Sequence, residues 1–147
     1  ILPVVPCCIT VAHAFGRIGC FFAGCCYGRE TDSALGVHFK YVSGNRLPTQ
    51  LFEAAFLFLL FAVLTLLVLK WKCPYTLSVY LVAYGIFRFI IEFFRGDDRG
   101  QIFGGALSPS QVGSIVYLLL GIGWFFLHRY LLTRGAQSAE EPPATNA

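Results

Sequence analysis

The sequence predicts an all-α polytopic membrane protein with three full transmembrane helices, a partial N-terminal helix and a short strand or loop region outside the membrane. Composition is the first observation behind this. Of 147 residues, 56% are apolar and only 13% charged, and the mean hydropathy is +0.67. Soluble domains carry about a quarter charged residues. A water-soluble domain of about 150 residues buries only ~70% of its chain surface, too little to hide this much Leu, Phe, Ile and Val. Segment length is the second observation, because three apolar stretches reach the ~20 residues that a spanning helix needs. The third is that Trp71, Tyr75, Tyr117, Trp124 and Tyr130 lie towards the ends of those stretches, as interfacial aromatics do. A net charge of +3 and a pI of about 8.6 are too mild for a nucleic-acid partner, and the composition excludes disorder and collagen-like repeats.

Taken in order, Ile1 to Phe15 is apolar but short and broken by Pro3 and Pro6, so it reads as the end of a helix. The chain contains no Met and opens within a hydrophobic stretch, which suggests the C-terminal part of a longer, N-terminally truncated chain. Gly16 to Gly28 is rich in Gly and Cys. Small residues of this kind let helices approach closely in a bilayer or let backbone approach a ligand. Arg29 to Thr49 is polar, and Leu35 to Tyr41 alternates as a short strand outside the membrane would. The first full span is Leu51 to Leu69, stopped by Lys70-Trp71-Lys72-Cys73-Pro74. Thr76 to Phe94 is the second, and Val112 to Leu132 the third, entered through Ser108-Pro109-Ser110. Residues 1–134 thus form a membrane-embedded domain, and residues 135–147 read as a disordered tail. Internal repeats and a secretory signal peptide are not found. Positive charge does not settle orientation. Lys70, Lys72, Arg129 and Arg134 fall on one side, and Arg29, Lys40, Arg46, Arg95 and Arg99 on the other.

The six cysteines are Cys7, Cys8, Cys20, Cys25, Cys26 and Cys73. Adjacent pairs do not bridge easily, and there is no C-x-x-C spacing for dithiol chemistry. Cys20, Cys25 and Cys26 with His13 or His38 could furnish four zinc ligands. Packing as small hydrophobes is the favoured reading.

Ionisable residues inside apolar runs carry the functional signal. An arginine at the centre of a membrane helix costs roughly 2.5–3.5 kcal/mol on insertion scales, so it faces protein or water and commonly marks a functional pathway. Helical spacing puts Tyr84, Arg88, Glu92 and Arg95 on one face. Two arginines flanking one glutamate leave surplus positive charge for an anionic ligand. An Arg–Glu pair that merely cancels its own burial cost is the plainer reading. Arg17 stands between Gly16 and Gly19, either as a second functional arginine or as a boundary residue reaching the interface. His13 lies one turn earlier, either as a packed polar group or as a base. Glu53 reads as a residue near the surface, and Gln50, beside the helix-entry residues Pro48 and Thr49, is free to donate hydrogen bonds. Two arginines within helices and a Gly-rich turn suggest a phosphate clamp, because guanidinium is a planar fork that never loses its charge. An anion held within a membrane points to a phospholipid headgroup.

Several of these segments also carry a resemblance. The stretch Gly16-Arg17-Ile18-Gly19-Cys20-Phe21-Phe22-Ala23-Gly24-Cys25-Cys26-Tyr27-Gly28-Arg29 resembles the signature of the prolipoprotein diacylglyceryl transferase family. Pro48 to Glu53, Tyr84 to Arg95 and Ser110-Gln111 resemble further family blocks in the same order. The resemblance implies a multi-pass enzyme of the bacterial inner or plasma membrane, with its active site facing the extracytoplasmic side and its tail in the cytoplasm. Such an enzyme transfers the diacylglyceryl group from phosphatidylglycerol to the lipobox cysteine of a prolipoprotein, without metal or organic cofactor. A thioether forms and glycerol phosphate leaves.

By motif position, Arg17 matches an arginine that contacts phosphatidylglycerol, Arg88 an essential arginine and Glu92 its acidic partner. Gly24, Gly28 and Gln50 complete the expected phosphatidylglycerol-binding set with Arg17 and Arg88. The catalytic candidates are Arg88, Glu92 and His13, the last as acceptor of the thiol proton. The sequence departs from the family pattern at Cys20, where asparagine is usual, at Cys25, where glutamate is usual, and at Leu47, where histidine is common. The family's upstream histidine and tyrosine are expected in the missing upstream part. Two alternatives stand beside the transferase: a non-catalytic phospholipid- or anion-binding membrane protein of the same fold, and a thiol-redox membrane protein.

Overall fold

The computed structural model describes residues 2–95 and 107–140. Arg99 of the charge count and residues 141–147 of the tail lie outside the described residues. The elements run α1 (Val5–Phe22), β1 (Val37–His38), β2 (Asn45–Arg46), α2 (Thr49–Leu69), α3 (Thr76–Glu92) and α4 (Pro109–Glu140). The architecture is all-α with one small antiparallel ribbon, in which Val37 pairs with Arg46 and His38 with Asn45. The predicted strand therefore contracts to two residues of the alternating stretch.

α1, α2 and residues Pro109–Gln137 of α4 are each long and apolar enough to cross a membrane. The N-terminal helix is longer than its prolines suggest. Pro6 occupies its first turn, where an N–H would have no partner and the ring does no harm. The helix then runs through Gly16 and Gly19 to Phe22. α3 stops at Glu92 after 17 residues, two short of the predicted span. Its end tightens through Phe93 N–H to Ile90 O (3.2 Å) and Phe94 N–H to Ile91 O (3.0 Å). The chain then turns into an antiparallel bridge between Arg95 and Gly28.

α4 begins at Pro109, three residues before the predicted start, and continues to Glu140. The first six residues of the expected disordered tail, 135–140, are consequently helical. Ala136, Gln137, Ala139 and Glu140 are good helix formers, and a single interior glycine, Gly135, costs only about 1 kcal/mol.

The helices alternate in direction. At one end, Thr76 Oγ1 donates to Pro3 O (2.8 Å), fastening the start of α3 to the start of α1. At the other end, the last turns of α1 and α3 meet the first turns of α2 and α4. α3 is the shared element, packed against α1, α2 and α4. Ala14, Leu57, Leu60, Leu64, Tyr80 and Tyr84 form the buried centre. Leu59, Leu66, Leu119, Phe126 and Leu131 are exposed, as expected of faces whose solvent is hydrocarbon.

Close approach of α3 and α4 rests on two glycines. A Cβ at Gly121 would lie 2.8 Å from Val82 Cγ2 and 3.0 Å from Leu81 Cβ; one at Gly85 would lie 3.1 Å from Ser114 O. Gly121→Ala is accordingly expected to destabilise the bundle by about 1–3 kcal/mol through overpacking, read as a lowered midpoint of unfolding in detergent.

Candidate functional site

The end of the bundle where α1 and α3 finish and α2 and α4 begin collects the charged residues. Arg17 lies five residues before the end of α1, Glu53 four residues into α2, Arg88 four residues before the end of α3, and Ser110 at the start of α4. At 1.5 Å per residue these positions share a narrow layer within about two turns of the helix ends.

Two linked groups occupy that layer. In the first, Arg17 Nη2 pairs with Glu53 Oε1 at 2.9 Å. The Tyr84 hydroxyl donates to the same carboxylate oxygen at 2.8 Å. His13 Nε2 lies 3.5 Å from the Tyr84 hydroxyl, with the two rings edge to face at 4.9 Å. Three helices thus meet at one carboxylate. In the second group, Arg88 Nη2 pairs with Glu92 Oε2 at 3.1 Å and donates to Ser110 Oγ at 2.8 Å. Ser108 Oγ donates to Glu92 Oε1 at 3.0 Å, and Gln111 Oε1 accepts from Ser108 N–H at 3.0 Å. Tyr84 belongs to the first group and Arg88 to the second, one turn apart on α3, so their side chains are neighbours. His13 lies within electrostatic range of Arg17, Glu53 and Arg88 alike.

The structure therefore brings His13, Arg17, Arg88 and Glu92 to one end of the bundle. Two expectations change. Glu53 is not near the surface but 2% exposed, because Arg17 and Tyr84 close over it. Arg95 does not share a helical face with Arg88, because α3 ends at Glu92 and Arg95 belongs to the bridge with Gly28. The surplus positive charge expected on that face gives way to paired charges, Arg88 with Glu92 and Arg17 with Glu53. Donors remain nonetheless: Arg88 Nη1 and Arg17 Nε are buried and make no hydrogen bond among the described residues.

The Gly-rich turn lies beside this layer. Gln50, 1% exposed, donates through Nε2 to Cys25 O, and its Oε1 is buried without a partner among the described residues. Thr49 Oγ1 donates to Cys26 O at 3.1 Å. Gly24 has φ +67°, a left-handed turn that favours glycine. Gly28 is closely packed. A Cβ there would lie 2.8 Å from Leu47 Cβ, Phe94 O and Thr49 Cγ2. Its N–H donates to Leu47 O (2.7 Å), while Arg29 N–H donates to Phe94 O (2.9 Å). Gly24 also lines a separate open cavity of about 420 Å³ with Phe21, Phe22, Phe39, Lys40 and Tyr41.

Sequence reasoning missed the Glu53 contact and the Ser108 contribution. Glu53 carried a usable signal, since a carboxylate one turn inside an apolar helix needs a cation. Ser108 carried none. Glu53→Gln keeps the shape but leaves Arg17 without its counter-charge, and is expected to cost about 3–5 kcal/mol. Tyr84→Phe removes one charge-assisted hydrogen bond and is expected to cost about 1–3 kcal/mol. Unfolding in detergent should place the two variants in that order.

Comparison with known proteins puts this geometry in a lineage. A family model described as prolipoprotein diacylglyceryl transferase matches residues 1–127. The chain is 40% identical over 128 residues to the phosphatidylglycerol–prolipoprotein diacylglyceryl transferase of Clostridium tetani, covering 83% of this chain and 51% of that protein. It is 45% identical over 120 residues to the enzyme numbered 2 of the same name from Clostridium perfringens, covering 78% and 46%. A third relative of that name, from Francisella tularensis subsp. mediasiatica, is 41% identical over 128 residues, covering 82% and 46%. The chain spans about half the length of the curated relatives it matches. No solved structure matches it. By the extent of the family match, the chain belongs to the prolipoprotein diacylglyceryl transferase family.

Proposed function

We propose that this chain forms the part of a phosphatidylglycerol–prolipoprotein diacylglyceryl transferase that grips the lipid phosphate. The observation that carries the reading is that Arg17 on α1 and Arg88 on α3, each held by a carboxylate at one end of the bundle, keep buried N–H groups that have no hydrogen bond among the described residues. A guanidinium has five donors in a fixed fork, and one carboxylate does not exhaust them. Glu53 and Glu92 make the arginines affordable inside apolar surroundings and set the direction of the remaining donors. Gln50, and the Ser108 and Ser110 hydroxyls, supply further polar contacts for the glycerol headgroup.

The transfer needs a thiolate, an electrophilic glyceryl carbon and a stabilised leaving group. The lipobox cysteine of the prolipoprotein loses its proton to a base, for which His13 is the candidate in this chain. A neutral imidazole accepts a proton near pH 7, and Tyr84 orients its ring. The sulfur attacks the glyceryl carbon, the carbon–oxygen bond to phosphate breaks, and glycerol phosphate departs with the bonding pair. Arg17 and Arg88 meet the charge that develops on that oxygen, where preorganised donors in a water-poor site are most effective. The residues present need no metal for this step. The same reading places the charged layer on the extracytoplasmic side of the bacterial inner or plasma membrane, where prolipoprotein and lipid headgroup meet.

The test is transfer measured as the mass shift of a lipobox peptide incubated with phosphatidylglycerol vesicles and the intact protein. Arg88→Ala and Arg17→Ala are each expected to lose about 100-fold or more in rate while still inserting into membranes. Arg88→Lys, which keeps charge but not the planar fork, is expected to recover only a small part. Unchanged transfer by either alanine variant overturns the clamp.

A further inference from the structure

The charged layer leaves one group of chemically capable side chains without a task. Cys20 at the end of α1 and Cys25 and Cys26 in the following turn bring their Sγ atoms within 4.8 Å of one another. The chain is built to gather them. Cys25 N–H donates to Cys20 O at 3.2 Å, and Gly24 (φ +67°) and Cys26 (φ +63°) are both left-handed, folding the backbone back over the helix end. From α2, Gln50 holds the Cys25 carbonyl and Thr49 the Cys26 carbonyl. Two of the three ligand-bearing residues are therefore fixed by hydrogen bonds from a neighbouring helix, as orienting contacts around a metal site commonly do.

We propose that Cys20, Cys25 and Cys26 form a three-thiolate site for a soft d10 metal ion, with Zn2+, Cd2+ and Cu+ as the cations its chemistry selects. Thiolate sulfur favours such ions over hard cations. With a metal–sulfur bond of about 2.3 Å, planar three-fold coordination places the sulfurs about 4.0 Å apart, so each sulfur needs to move inward by only about 0.5 Å. Cys25 is exposed and Cys20 and Cys26 half-buried, which leaves an entry path and an open position for a water or an exogenous ligand.

Binding requires no change of oxidation state. Three S–H bonds are lost, three metal–sulfur bonds form, and the protons pass to solvent. A disulfide within the same trio would need an oxidant. Partial desolvation, then the adjacent Cys26 and Cys20 thiols, push the Cys25 thiol up to about 11. The readout of the site does not use activity.

The test uses the intact, reduced, chelator-stripped protein in detergent, titrated with Cd2+ and followed by thiolate-to-metal charge-transfer absorption. Expected are saturation at one ion per chain and proton release on binding. Cys20→Ser, Cys25→Ser and Cys26→Ser are each expected to weaken binding about tenfold or more, whereas Cys8→Ser and Cys73→Ser leave it unchanged. A second measurement needs no variant: one equivalent of Cd2+ should shield Cys20, Cys25 and Cys26 from alkylation and leave Cys8 and Cys73 as reactive as before. Three results would overturn the site: no band at one equivalent, unweakened binding in any of the three variants, or a disulfide within the trio under non-reducing peptide mapping.

Discussion

An arginine cannot shed its proton to enter an apolar bundle, so wherever one is placed the surrounding helices must arrange themselves to meet it. Arg17 and Arg88 impose that requirement here. The Arg17–Glu53 pair joins α1 to α2, and the Tyr84 hydroxyl brings α3 to the same carboxylate. Arg88 reaches Ser110 and so joins α3 to the first turn of α4. Apolar contacts between helices differ little from contacts with lipid tails, whereas these polar contacts have no equivalent in hydrocarbon. They fix which end of each helix lies beside which.

In the proposed clamp, pairing also changes how an anion is attracted. Arg17, Glu53, Arg88 and Glu92 cancel as two pairs, so among these four groups no net field reaches far into solvent. On that reading attraction operates at hydrogen-bond range, through the buried N–H groups of Arg17 and Arg88. A membrane-dissolved ligand suits such a site well. Its encounter is confined to the plane of the bilayer and does not depend on long-range steering through salt water.

How much of this was legible in the sequence depends on how local the determining contact is. Helix α2 follows from an apolar run and its polar stop, and the Arg88–Glu92 pair follows from i,i+4 spacing within one helix. That Glu53 needs a cation was legible, but which partners meet it was not, because Arg17 and Tyr84 lie 36 and 31 positions away and only packing brings them near. The end of α3 was misplaced by two residues for the same reason: the backbone leaves the helix to pair with Gly28, a contact no local pattern announces. Pro6 misled in the opposite direction, since a helix-breaking residue is harmless in a first turn. Among the candidate ligand contacts, Gly24 and Gln50 lie beside the charged layer, and Gly28 is closely packed.

The seam around Gly28 is stitched by main-chain atoms: its own N–H to Leu47, Arg29 N–H to Phe94, and Leu47 N–H back to Arg29. Amides make these bonds whatever side chain they carry, proline excepted. Evolutionary drift at Arg29, Leu47 or Phe94 can therefore proceed without loosening the fastening, while the single hydrogen atom that serves as the side chain of residue 28 has no substitute. The mutational tolerance of this rim is thus uneven by construction, broad at three of its positions and closed at the fourth.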